Sequence, residues 1–254
     1  SDALWLLSHE VPAAKRAEAA RELREFHERF NALMNDGQEA AANALVNPLS
    51  AYREFPKPAE DSHLCELNQP GCLARISAEL PAVQGELDKF AGAIAAANEL
   101  LRYDGVRWNR TPGVYQTLPA YNMHRSIVYS HLAWRFVNGE TLPALAATCD
   151  DIAAWRRLGS DNDMLIGSMV GAAYVRQDLG LMAEMLSELP ADTPLQPNCQ
   201  AALATTRDNE LDLCPAMRSE FRMLESSLYE WKRSGESERR WERWSVHTVD
   251  NEHL

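Results

Sequence analysis

The stretch at residues 122–158, NMHRSIVYSHLAWRFVNGETLPALAATCDDIAAWRRL, holds two amphipathic segments with a stop between them. In its second half Leu142, Leu145, Cys149 and Ile152 recur at spacings of three and four, which sets them on one inward face of a helix. Asn138 and Gly139 end the first segment, residues 122–137, and Gly159 ends the second, residues 142–158. Two such helices joined by a few residues form a helical hairpin.

The same texture continues on both sides. Ser160 or Asp161 can cap a third helix that runs to about Gln177, and residues 179–189 make a short fourth. Gly167 and Gly171, with Ser168 and Ala172, give the third helix a small-residue face suited to close packing. Towards the amino end, Pro12 opens a helix over residues 13–34, with Leu23, Phe26, Phe30 and Leu33 on one face. Val83, Leu87, Phe90, Ile94, Ala97 and Leu101 mark another helix over residues 82–103. Residues 104–120, with Gly105, Pro112, Gly113 and Pro119, read as a packed loop, and Pro215 opens a last helix through about Trp231. Runs of alternating β-branched residues are missing, and no period of about 34 residues carries a tetratricopeptide signature. The expected class is all-α: an irregular multi-helix bundle with helical-hairpin elements. It is read as a single helical domain over residues 1–254, sub-divided at 1–103, 121–233 and a tail at 234–254.

Composition narrows the partners. With 46% apolar residues the chain can bury a sizeable core, while no stretch approaches the ~20 apolar residues that cross a bilayer. A formal charge of −12 argues against a general phosphate-binding surface, so no nucleic acid is expected; the charge could attract a basic protein partner, and solubility is the simpler account of it. The end of the chain interleaves Trp231, Trp241 and Trp244 with arginines, but Glu230, Glu236, Glu238 and Glu242 nearly cancel that charge.

Five cysteines point to a compartment. Cys65 and Cys72 flank a short polar loop that turns at Pro70 and Gly71, and Cys199 and Cys214 flank a second excursion. Cys149 lies on an apolar helical stripe, where a lone thiol behaves as a small hydrophobe. Disulfides Cys65–Cys72 and Cys199–Cys214 with a free Cys149 are therefore expected, stapling two loops in an oxidising compartment. The alternative is five reduced thiols in a cytosolic protein.

Motifs for chemistry are scarce. No glycine-rich phosphate loop, nucleophile elbow, kinase signature or dinucleotide fingerprint occurs, and no cofactor is called for. His124 and His131 stand seven residues apart on one helix face, and Asp161 or Asp163 would have to complete a metal site. A packed histidine between Ile127 and Trp134 is the simpler account of His131, so no metal is assigned. The run Ser160 to Asp163 suits a helix N-terminus and lacks the glycine and closing glutamate of a calcium loop. Arginines recur beside aromatics, an arrangement that binds carboxylates and also serves ordinary packing. The candidate binding residues are Arg102, Trp108, His124, Arg125, His131, Arg135, Trp155 and Arg156.

The segments CDDIAAWRRLGSDNDMLIGSMVGAAYVRQD (149–178) and LDLCPAMRSEF (211–221) carry a family likeness, together with LC…GCLARI (64–76) and ALWLLSHEVP (3–12). Across most of its length the chain resembles a family of proteobacterial cell-envelope proteins with no established activity. Members of that family typically carry an apolar N-terminal anchor, from which this domain is expected to be cut. The resemblance thus implies a periplasm-facing domain attached to the inner membrane in the full-length protein, and it supplies no catalytic residues. Two functions are expected on these grounds. The first is a non-catalytic periplasmic protein-binding protein, such as an inhibitor or immunity protein that neutralises a basic secreted antibacterial toxin. The alternative is a helical hydrolase or other enzyme with an Arg- and His-lined pocket around residues 122–177.

Overall fold

The structure, a computed structural model, describes residues 3–66, 69–106, 118–119 and 125–233. It is all-α: among these residues the only β pairing is two isolated bridges, His9 with Glu54 and Val106 with Asn162. In chain order the helices are α1 (Ala3–Leu6), α2 (Arg16–Asn35), α3 (Glu39–Asn43), α4 (Cys72–Ala78), α5 (Leu80–Leu87) and α6 (Ala91–Leu100). They continue as α7 (Arg125–Val137), α8 (Thr141–Ser160), α9 (Leu165–Ser187), α10 (Pro197–Ala202) and α11 (Cys214–Arg233). No helix among the described residues is long and apolar enough to cross a membrane.

The main core lies where α4 to α10 converge, around Ile76, Val83, Ile127, Leu145, Ile152 and Met185. A second cluster sets Leu4 and Leu7 against Leu100, Trp155, Leu158 and Tyr174. Leu6, on the opposite side of α1, packs with Ala19, Ala20 and Leu23 of α2 and with Leu49. The first turn of the chain is thereby wedged between α2 and the α8–α9 hairpin.

That hairpin is a ladder of matched residues. Nearest the turn, Gly159 faces Gly171 so closely that a Cβ on Gly171 would lie 2.6 Å from the Gly159 Cα. The small-residue face read from the sequence is used for this approach. One turn further, Trp155 meets Tyr174 edge-on at 4.7 Å. Next come Asp151 and Asp178, bridged by Arg125 from α7. Last, the Thr148 hydroxyl lies 3.7 Å from the Met185 sulfur.

Several boundaries differ from expectation. Residues 82–103 are not one helix, because a 3-10 turn at Asp88–Phe90 separates α5 from α6. Residues 179–189 are not a separate helix, since α9 runs through Gly180 to Ser187, and a Cβ at Gly180 would meet nothing. Leu142 is exposed, whereas Leu145, Cys149 and Ile152 are fully buried as the stripe requires. Neither Ser160 nor Asp161 caps α9; the Asn162 carboxamide oxygen accepts the Met164 N–H at 2.9 Å instead. Most of the loop at 104–120, residues 122–124 and the tail at 234–254 with Trp241 and Trp244 lie outside the described residues.

The cysteine pairing corrects the sequence expectation in part. Cys65–Cys72 forms, and the Cys65 N–H donates to the buried Ser130 hydroxyl of α7 at 2.7 Å, which ties that loop to the core. Cys199 bonds to Cys149 and not to Cys214, which is free and exposed. Packing decides this. Helix α10 lies on α8, where the Asn198 carboxamide donates to the Ala146 carbonyl at 2.8 Å, so Cys199 is delivered to the buried stripe that holds Cys149. Cys214 opens α11, its N–H bound to the Asp212 carboxylate.

Mass spectrometry without reductant should find Cys65–Cys72 and Cys149–Cys199, with Cys214 alone alkylated. On the loop-entropy estimate, a closed loop of 50 residues is worth about 4 kcal/mol and one of 7 residues about 2 kcal/mol. A Cys149→Ala/Cys199→Ala variant should therefore lose more in a urea titration than Cys65→Ala/Cys72→Ala. A Cys199–Cys214 peptide in native protein would contradict the pairing.

Candidate protein-binding groove

Arg125 opens α7 and is drawn wholly inside the bundle. Its side chain is 2% exposed, and those of Asp151 and Asp178 are 5% and 0% exposed. The guanidinium donates to Asp151 at 2.5 Å, to Asp178, to the Gln177 carboxamide oxygen at 3.3 Å and to the Tyr174 carbonyl at 3.3 Å. It also lies 4.7 Å from the Tyr174 ring centroid. Burial works against this cation, but Asp151 and Asp178 outweigh it and hold its pKa above the ordinary arginine value. One arginine faces two carboxyls, so one acid is in excess. Burial, then the neighbouring Asp151 carboxylate, push Asp178 well above the usual carboxylate range. The Asp178 Oδ2 has no hydrogen-bond partner among the described residues. The neutral arrangement is Arg125 paired with Asp151, and Asp178 holding its proton.

The other candidates are dispersed. Trp108 and His124 lie outside the described residues. His131 stacks on Trp134, with 6.2 Å between ring centroids, and burial together with Arg135 lowers its pKa, so the ring stays neutral near pH 7. Ser130, its neighbour in sequence, is occupied by Cys65. Arg135 pairs with Glu140 at 2.8 Å, and Arg102 is exposed on the turn after α6. Among the described residues no group of three or more His, Cys, Asp or Glu is placed to hold a metal ion.

Trp155 and Arg156 do meet at one feature, a groove of about 480 Å³ between α8, α9 and the segment that links α10 to α11. Its floor is made where Gly159, Gly171 and Ala172 let the two helices approach, and Trp155 and Val175 form one wall. Leu203, Leu211 and Leu213, all exposed, line the other. Arg156 is structural in this setting. It donates to the carbonyls of Ala202 at 2.6 Å and Ala204 at 2.8 Å, and to Glu210 at 2.9 Å, which pins the linking segment onto α8. Burial opposes the Glu210 charge, but Arg207 and Arg156 prevail and hold its carboxyl below the usual range. Asp212, the other carboxylate along the groove, is exposed.

The sequence reading missed Asp151, Gln177 and Asp178 as partners of Arg125, and Glu210 as partner of Arg156. A polar residue inside an apolar run, as Asp151 is between Cys149 and Ile152, was the available signal for the first. No protein-family profile, curated protein or solved structure matches the chain.

The buried cluster predicts an asymmetry between its members. Arg125→Met leaves two buried acids without their cation and should cost about 3–5 kcal/mol. Asp178→Asn retains an acceptor for Arg125 and removes the acid that must stay protonated. Because the folded pKa of Asp178 lies above its unfolded value, its contribution is complete below about pH 4 and is lost as pH rises through the folded value. Urea titrations from pH 4 to 8 should show wild-type stability falling over that window and a flatter profile for Asp178→Asn. A steeper decline in the variant would contradict this assignment.

Proposed function

We propose that the chain is a non-catalytic protein-binding domain of the periplasm that holds a basic protein partner in the α8–α9 groove. The observation that carries this reading is the groove itself. Leu203, Leu211 and Leu213 of its apolar lining are open to solvent, with the half-buried Val175 and the buried Trp155 behind them and the exposed Asp212 carboxylate beside them. Exposed apolar surface rimmed by charge is characteristic of a protein interaction site. The fitting occupant presents an apolar ridge flanked by lysines or arginines, and the chain's charge of −12 would steer it in. This is the mode of an inhibitor or immunity protein that neutralises a secreted antibacterial toxin.

Two disulfides, both buried, support an oxidising compartment. Attachment to the inner membrane rests on the envelope-family resemblance alone. The paired state of Arg125, Arg135 and Arg156, each with its own carboxylate, favours binding over the arginine-lined pocket of the enzyme alternative.

The test compares the wild type with Leu211→Glu/Leu213→Glu, both positions exposed, against the partner captured from envelope extract. Binding should be lost while both disulfides and the melting temperature are kept. Across a salt series the association rate should fall as the Debye length shrinks from about 8 Å, and the dissociation rate should change far less. A partner retained by the variant, or an association rate indifferent to salt, would remove the groove from consideration.

A further inference from the structure

Helix α11 is turned the wrong way round for a surface helix. Its side towards α9 is mostly small or polar: Ala216 is buried, and Ser219, Glu220, Met223 and Ser226 are half-buried. The Glu220 carboxylate there accepts the Leu165 N–H at the start of α9. Four of its large apolar residues face away, with Met217 53% exposed, Phe221 68%, Leu224 57% and Leu228 61%.

Their spacing is regular. Positions 214, 217, 221, 224, 228 and 231 alternate steps of three and four, so Cys214, Phe221 and Leu228 fall at a, and Met217, Leu224 and Trp231 at d, of one heptad frame. A strict a/d stripe is the narrow seam of a coiled coil, not the broader face that a helix turns to its own core. Beside the seam, Arg218 and Glu225 occupy successive e positions and are both exposed.

We propose that α11 is a self-association element that pairs antiparallel with α11 of a second copy of this chain. In that register Phe221 of one copy packs on Leu224 of the other, and Met217 on Leu228. Arg218 of each copy then faces Glu225 of the other, a favourable pair made twice by the two-fold axis. In the parallel register neither Arg218 nor Glu225 meets an opposite charge across the seam, so both attractions are lost. The e-position charges therefore select both the occupant, a second copy, and its direction. The seam spans only two and a half heptads, but α11 is already held as a helix by α9, so association need only align two preformed surfaces. This assignment does not rest on the groove.

Sedimentation of the full chain should show a dimer of twice the 28.5 kDa chain mass, and Phe221→Asp/Leu224→Asp should make it monomeric with unchanged helix content. Arg218→Glu and Glu225→Arg should each weaken the dimer about tenfold, because each turns two attractions into repulsions, and the combined exchange should restore it. In the antiparallel pair the two Cys214 residues lie about 25 Å apart along the helices at ~1.5 Å rise per residue, so mild oxidation should leave them unlinked. A wild-type monomer at high micromolar concentration would overturn the proposal, whether residues 234–254 or a different protein then covers the seam. A dimer strengthened by Glu225→Arg, or one readily cross-linked through Cys214, would overturn the antiparallel register.

Discussion

A guanidinium taken out of water has to be neutralised where it lies, and the placing of Arg125 governs how three helices meet. Helix α7 supplies the cation, α8 supplies Asp151, and α9 supplies Asp178, Gln177 and the Tyr174 carbonyl. Apolar contacts alone would let α8 slide along α9 by a turn at modest cost. A buried arginine cannot slide, because every alternative register leaves it without partners. The remaining rungs of the hairpin follow from that one. With Asp151 opposite Asp178, Trp155 falls opposite Tyr174 and Gly159 opposite Gly171, where a Cβ on Gly171 would collide with the Gly159 backbone.

The fold class was legible because it rests on periodicity, which is local. Leu145, Cys149 and Ile152 repeat on one face of α8 whatever packs against them, and Gly139 at φ +96° stops α7 as a residue with a Cβ would not readily do. What was hidden is decided between helices. Gln177 and Asp178 look like the polar end of a helix followed by Gly180, and that led to a break where α9 is continuous. They are polar because Arg125 needs them. Cys149 was read as a packed thiol on the strength of its helix, and its partner depended on how α10 docks. Arg125 and Arg156 were candidates for a ligand, since nothing in composition separates an arginine facing solvent from one that has found its carboxylate inside. The seam on α11 was readable in principle, because its steps of three and four are in the sequence, but its exposure is a fact of tertiary structure.

The buried cluster and the groove are physically joined. The Tyr174 ring lies beneath Arg125 and touches Trp155, which is also a wall of the groove, and the next residue, Arg156, holds the opposite rim. The groove is therefore shaped by interior ion pairing as well as by its own surface residues. A charge change inside the bundle has a short mechanical path to the place where a partner would sit.

The arrangement of the disulfides has a consequence for how the chain matures. A polypeptide entering an oxidising compartment amino end first presents its cysteines in the order Cys65, Cys72, Cys149, Cys199, Cys214. Each native bond joins a cysteine to the very next one to emerge, Cys65 to Cys72 and then Cys149 to Cys199, and the odd thiol is the last to arrive. An oxidant that acts on cysteines in order of appearance would produce the native pairing directly, with no reshuffling of wrong bonds. By the time Cys214 appears, both earlier pairs can be closed, and all of α9 already lies within the covalent ring that Cys149 and Cys199 complete.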